Sequence, residues 1–133
     1  MILLDTSVLI AAPQSIGSWG ETLVGETPLF SALSYAELAF GIAVAADRDT
    51  RAERQQNLAW LDALGVEWLP FNRQAADGYA AVAPTVHSQR RAHSRSTDIM
   101  LAGHAYSLGA SLVTLNPKDF ELVSHLVKIV TPE

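Results

Sequence analysis

Apolar positions along the chain fall into short runs that alternate with longer stretches spaced as on a helix. Ile2, Leu3 and Leu4 form one run, and Val8, Leu9 and Ile10 resume it after Asp5, Thr6 and Ser7. That pattern reads as a short buried strand turning into a helix, with Asp5 at the junction. Two later segments, LAWLDALGVEWLP and AGHAYSLGASLVTL, share one order: an apolar stripe, a glycine, then a short apolar strand. Gly65 and Gly109 supply the left-handed residue that ends many helices. Repeated helix–glycine–strand units with few hairpin signals predict an α/β fold with a parallel sheet.

Strands are expected at 2–5, 29–32, 66–69, 111–114 and 127–131. Helices are expected at 7–12, 35–46, 51–64, 73–90, 97–108 and, briefly, 118–124. Residues 17–27 fit a short helix or a loop equally. In the fourth helix Ala75, Tyr79, Val82 and Val86 share a face, and Pro84 is expected to kink the helix or end it early.

Composition narrows the chemistry. The 133 residues, 49% of them hydrophobic, are expected to form one domain over 1–133 with a real core. No apolar run reaches the length of a membrane span and no basic flank marks a secretory signal, so a soluble, cytoplasmic protein is expected. With no cysteine, disulfides, a thiolate nucleophile and cysteine zinc sites are excluded. His87, His93, His104 and His125 show no zinc spacing. Any bound metal would need oxygen ligands, which favours magnesium or manganese.

A net charge of −5 argues against generic nucleic-acid binding, but its distribution changes that picture. Between Gly78 and Thr97 there is no acid, while Arg90, Arg91 and Arg95 occur with His87 and His93. This stretch is a candidate for phosphate contact, with a solvated surface as the alternative. Arg48, Arg51 and Arg54 are interleaved with Asp47, Asp49 and Glu53, which reads as a solvated helix face with local ion pairs.

Four carboxylates sit where helices begin. Asp5 follows the first strand; Ser34 and Glu37 match a capping box after the second; Asn116, Pro117 and Asp119 follow the fourth as a cap, a first helical residue and an acid two residues on. Asp98 lies in the first turn of a helix capped by Ser96 or Thr97, where the helix dipole favours an acid. Singly, each is explained as a capping device. Jointly, strand-to-helix junctions of a parallel sheet share one edge, which collects Asp5, Glu37 and Asp119. Asp98 follows a long helix, so its presence there is a further inference. Four crowded carboxylates either have raised pKa values or are neutralised by a divalent cation, and such a site suits phosphoryl chemistry.

LLDTSVLI, AEL at 36–38, RSTDIMLAGHA at 95–105 and LVTLNPKDF at 112–120 together resemble the successive acidic motifs of PIN-domain ribonucleases, in particular the VapC-type toxins of bacterial toxin–antitoxin pairs. The resemblance implies a three-layer α/β/α fold with a mostly parallel sheet of four to five strands. It places Asp5, Glu37 and Asp98 on the metal-binding acids, Asp119 on a further acidic position, and Thr6, Thr114 and Asn116 on polar positions nearby. Asn116 stands where some members carry an acid, so the fourth charge either comes from Asp119 or is absent.

The resulting expectation is a magnesium-dependent endoribonuclease, with Mn2+ as a substitute, that hydrolyses RNA through metal-activated water. Asp5, Glu37 and Asp98 would hold the ion, and Asp119 would orient the water. Arg90, Arg91 and Arg95 would position the RNA backbone. The implied partner is a cognate antitoxin, and the high hydrophobicity of so small a chain suggests a homodimer. Two alternatives compete: a phosphatase that forms an aspartyl-phosphate on Asp5, and a non-enzymatic RNA- or protein-binding module built on the arginines.

Overall fold

The structure, a computed structural model, describes residues 1–132. The chain runs β1 (Ile2–Leu4), α1 (Thr6–Ser15), a 3-10 turn (Ile16–Trp19), α2 (Gly20–Leu23), β2 (Pro28–Ser31), α3 (Ala32–Ala43), α4 (Arg48–Ala63), β3 (Trp68–Leu69) and α5 (Arg73–His87). It continues through a 3-10 turn (His93–Arg95), α6 (Thr97–Leu108), β4 (Ser111–Val113), a longer 3-10 stretch (Pro117–Val123) and β5 (Ile129–Val130). The five strands form one sheet in the order β3-β2-β1-β4-β5, and every pairing is parallel.

Alternation along β1 sorts its side chains to the two faces of the sheet. Leu3 packs with Val82 and Val86 of α5, Ile99 and Leu101 of α6, Leu112 of β4 and Phe120 of the 3-10 stretch. Ile2 and Leu4 pack on the other face with Val8, Leu9, Leu38 and Leu61, from α1, α3 and α4. Both layers are needed because each face of a parallel sheet must be covered. Leu3 is fully buried, which is worth about 1.5–3 kcal/mol relative to exposure.

α5 and α6 approach backbone to backbone. A Cβ at Gly78 would collide with the Gly103 carbonyl, and one at Gly103 would collide with the Tyr79 backbone. Gly65 and Gly109 have φ of +78° and +64°, the left-handed geometry expected of helix-ending glycines.

Several boundaries differ from the sequence expectation. α1 runs on through Pro13 to Ser15, and α5 passes through Pro84 but stops at His87 rather than 90. The segment at 118–124 is 3-10 rather than α-helical. Residues 17–27 contain the end of one 3-10 turn and the four-residue α2. The capping box of Ser34 and Glu37 is not formed. Ser31 caps α3 by accepting from the Leu33 amide at 3.1 Å, which places Ser34 inside the helix, fully buried. Asn116 precedes Pro117 as expected, yet its side chain caps nothing.

The expected ion pairs along α4 are also absent. Among the described residues the one ion pair joins the Met1 amino group to Glu26 at 3.0 Å. Arg51 and Arg54 instead donate to the carbonyls of Ala45 and Gly41. Carbonyls at a helix C-terminus lack intrahelical partners, so a cation there satisfies an acceptor and the dipole together.

Candidate active site

The sheet order places the switch in chain direction between β1 and β4, and the crevice lies beyond their carboxyl ends. Asp5 ends β1. Its amide bonds the Val113 carbonyl at 2.9 Å, and its own carbonyl accepts from Val8 and Leu9 as α1 begins. The capping explanation of Asp5 holds. Its side chain caps α1, with Oδ1 accepting from the Thr6 amide at 2.8 Å, while Oδ2 accepts from the Ser7 hydroxyl at 2.8 Å and the Thr114 hydroxyl at 2.7 Å. At 4% exposure the carboxylate is held rigidly, with capacity for one further contact.

Thr6 links this group to α3. Its hydroxyl donates to Glu37 Oε1 at 2.7 Å and lies 3.1 Å from Ser34 Oγ. Thr114 in turn accepts from the Asn116 amide at 3.0 Å, and Ser7 Oγ accepts from the Leu115 amide at 3.2 Å. Hydroxyls from α1 and the end of β4 therefore bracket the Asp5 carboxylate, and Thr6 stands between Asp5 and Glu37.

Asp98 completes the cluster. Ser96, not Thr97, caps α6 by accepting from the Ile99 amide at 3.3 Å, so Asp98 sits in the first turn. Burial, then the like charges of Asp5, Asp119 and Glu37, push the Asp98 pKa up to about 6, with His93 acting in the opposite sense. Each of the three other acids is thus near enough for Asp98 to feel it. Asp119 is exposed, in the first turn of the 3-10 stretch, and its carbonyl lies 3.0 Å from His93 Nε2.

The remaining sequence candidates are dispersed. Arg90 and Arg91 are exposed on the turn after α5, and Arg95 lies in a groove against α5. Of the basic segment, it is His93 whose charge reaches Asp98. Asn116 is exposed beside the cluster, its amide tied to the Thr114 hydroxyl and its carbonyl accepting from the Asp119 amide at 3.1 Å. Three contributors escape sequence reasoning: Ser7, Ser34 and His93. Ser7 could be found from its spacing of two from Asp5; Ser34 carries a misleading capping pattern, and His93 has no local signal.

Among the described residues no three acids or histidines are drawn together tightly enough to grip an ion. The Thr6 and Thr114 hydroxyls each occupy one carboxylate oxygen, on Glu37 and Asp5 respectively. Donor chemistry nevertheless fits a hard dication: all four groups are oxygen donors, and Asp5, Glu37 and Asp119 each act on Asp98 as like charges.

The PIN domain family matches residues 2–126. Solved structures of similar fold include VapBC-5 from Mycobacterium tuberculosis, of the VapBC family of toxin–antitoxin systems. It is 28% identical over 98% of this chain and 96% of that one, with a TM-score of 0.76. VapBC-1 from nontypeable Haemophilus influenzae is 27% identical over 96% of each chain, with a TM-score of 0.69. VapBC2 from Rickettsia felis, bound to a DNA fragment from its promoter, shares the fold at 24% identity over the full length of both chains, with a TM-score of 0.75. Curated protein sequences give no match. Family match, all-parallel five-stranded sheet and acidic crevice agree: the chain belongs to the PIN domain family.

Proposed function

We propose that this chain is a magnesium-dependent endoribonuclease, the toxin of a toxin–antitoxin pair. The observation that carries this reading is the electrostatic convergence on Asp98 of acids from three other segments of the chain. Asp5, Glu37 and Asp98 would hold Mg2+, or Mn2+ in its place. Bound there, the ion would lower the pKa of an attacking water and offset charge on the scissile phosphate.

The chain's own groups do the positioning. Thr6 and Thr114 hold Glu37 Oε1 and Asp5 Oδ2 by single hydrogen bonds, fixing which oxygens remain free to face the crevice. Asp119, exposed and acidic, is the acceptor that orients the attacking water. Asn116 contacts the substrate from the same turn. Arg90, Arg91 and Arg95 meet RNA phosphates outside the cluster, as sequence-independent contacts. The alternative of an aspartyl-phosphate on Asp5 is disfavoured, since that carboxylate is 4% exposed and already accepts three hydrogen bonds.

An antitoxin is the proposed partner, by extension from the VapBC complexes of similar fold. A cleft of about 640 Å3 between α1 and α4 supports it, because Asn57 Oδ1 is buried there without a donor. Exposed Tyr35 and Phe40 on α3, with Val44 at its C-cap, offer apolar surface to a second copy. Among the described residues no helix is long and apolar enough to cross a membrane, and an RNA substrate places such an enzyme in the cytoplasm.

The test is digestion of total RNA with magnesium, with a chelator, and with the Asp98→Asn protein. Cleavage is expected only in the first. Undiminished cleavage in either of the others would overturn the assignment, and simple RNA binding without cleavage in all three would favour the binding-module reading.

A further inference from the structure

His93, Ser94 and Arg95 form one 3-10 turn that faces two ways. His93 meets the Asp119 carbonyl on the acidic side. Ser94 is buried against α5, where its carbonyl accepts from the Tyr79 hydroxyl at 2.8 Å. Arg95 lines a groove of about 340 Å3 with Tyr79, Ala83, Pro84, His87 and Ser88. Asp98 follows three residues later, and three residues span at most about 11 Å, so groove and acidic crevice adjoin.

We infer that this groove is a subsite for a nucleotide flanking the scissile bond, bound through its base on Tyr79 and its phosphate on Arg95. The inference rests on the ribonuclease reading and adds a second, separate contact to it. The groove supplies what a single strand needs. Tyr79 is an aromatic ring held by its hydroxyl, Arg95 and His87 are cation and imidazole donors, and Ala83 and Pro84 are small apolar neighbours. Single-stranded binding sites combine such a stacking ring with a positive track. Charge complementarity favours RNA over a protein segment, because Arg95 and His87 line the groove and no acid occurs from Gly78 to Thr97. Its volume lies at the lower end of the roughly 300–1,000 Å3 typical of small-ligand clefts, which suits one nucleotide.

The test uses fluorescein-labelled single-stranded RNAs of random sequence, from two to eight nucleotides long. Anisotropy in the Asp98→Asn background reads binding, and cleavage by the otherwise unmodified chain is followed in parallel. Arg95→Ala is expected to weaken binding of the longest RNA about threefold to tenfold and to flatten its logarithmic salt slope by about 0.7. The same change should raise KM with kcat unaltered, and should leave the dinucleotide unaffected. Tyr79→Leu is expected to weaken binding about tenfold, since stacking is lost. Tyr79→Phe, which keeps the ring, should bind as the parent does.

Equal losses for Phe and Leu would assign Tyr79 to holding Ser94 and overturn the subsite. So would an unchanged KM for Arg95→Ala on an RNA that the parent cleaves. If sedimentation shows a dimer that Arg95→Ala or Tyr79→Leu dissociates, the groove belongs to a second copy instead. Absence of both binding and cleavage at every length by the parent chain would remove the ribonuclease reading itself, and the subsite with it.

Discussion

Replacing Asp98 by Asn should stabilise the metal-free protein. A shift from 3.8 to about 6 corresponds to a ceiling of about 3 kcal/mol against the ionised form. Asp98 remains partly in contact with water, so screening reduces that to about 1.5 kcal/mol. Asn also forgoes the favourable interaction of an acid with the α6 N-terminus, about 0.5 kcal/mol. The net gain is about 1 kcal/mol at pH 7.5, or about 4 °C in Tm for a chain of this length. The sign reverses intuition about removing a charged residue from a site.

The pH dependence follows. The folded pKa lies above the unfolded one, so between about pH 6 and pH 4 the native state binds the extra proton. Wild type should therefore lose its deficit relative to Asp98→Asn as pH falls through that window, and the two should converge near pH 4. Carboxylates outside the cluster act equally in both proteins, so the difference between them reads Asp98 together with the acids coupled to it. Magnesium should narrow or reverse the gap at pH 7.5, because stabilisation by a ligand tracks its affinity for the native state. The assay is thermal unfolding in chelator and in magnesium at several pH values. A destabilised Asp98→Asn protein in chelator, or a difference independent of pH, would refute the reasoning.

Thr6→Val should preserve the fold but release Glu37, weakening magnesium affinity about 10–100-fold by titration of Tm or of cleavage; unchanged affinity would make Thr6 structural only. Gly103→Ala should cost about 1–3 kcal/mol, or prevent folding, because its methyl meets the Tyr79 backbone, and a denaturation curve within 0.5 kcal/mol of wild type would contradict the close approach of α5 and α6. His104 is buried, bonded through Nδ1 to Ser31 Oγ at 2.9 Å, and desolvation lowers its pKa. The unfolded chain then binds the proton first, so wild type should lose stability as pH falls below about 6.5, with a slope that His104→Gln lacks.

Much of this protein is legible in local pattern. Short apolar runs, stripes at helical spacing and the glycines at 65 and 109 determine an alternating α/β chain, and a parallel sheet follows from the lack of hairpin turns. Parallel connectivity then sends every strand-to-helix junction to one edge, which is how Asp5, Glu37 and Asp119 could be collected before any coordinate was known. The tertiary structure decided the rest. Ser31 and Ser34 offer the same chemistry one helical turn apart, and only the packing of Thr6 against α3 makes one a cap and the other a buried wall of the site. Asp98 reaches the cluster because Gly78 and Gly103 let α6 lie directly on α5, a contact with no signature in either helix alone. His93 acquires its place from a hydrogen bond 26 residues down the chain, and Asp5 from Thr114 at a separation of 109. Caps and periodicity are short-range and repeat wherever their residues occur; which hydroxyl meets which carboxylate depends on distant segments burying apolar faces together, and that is settled only when the whole core closes.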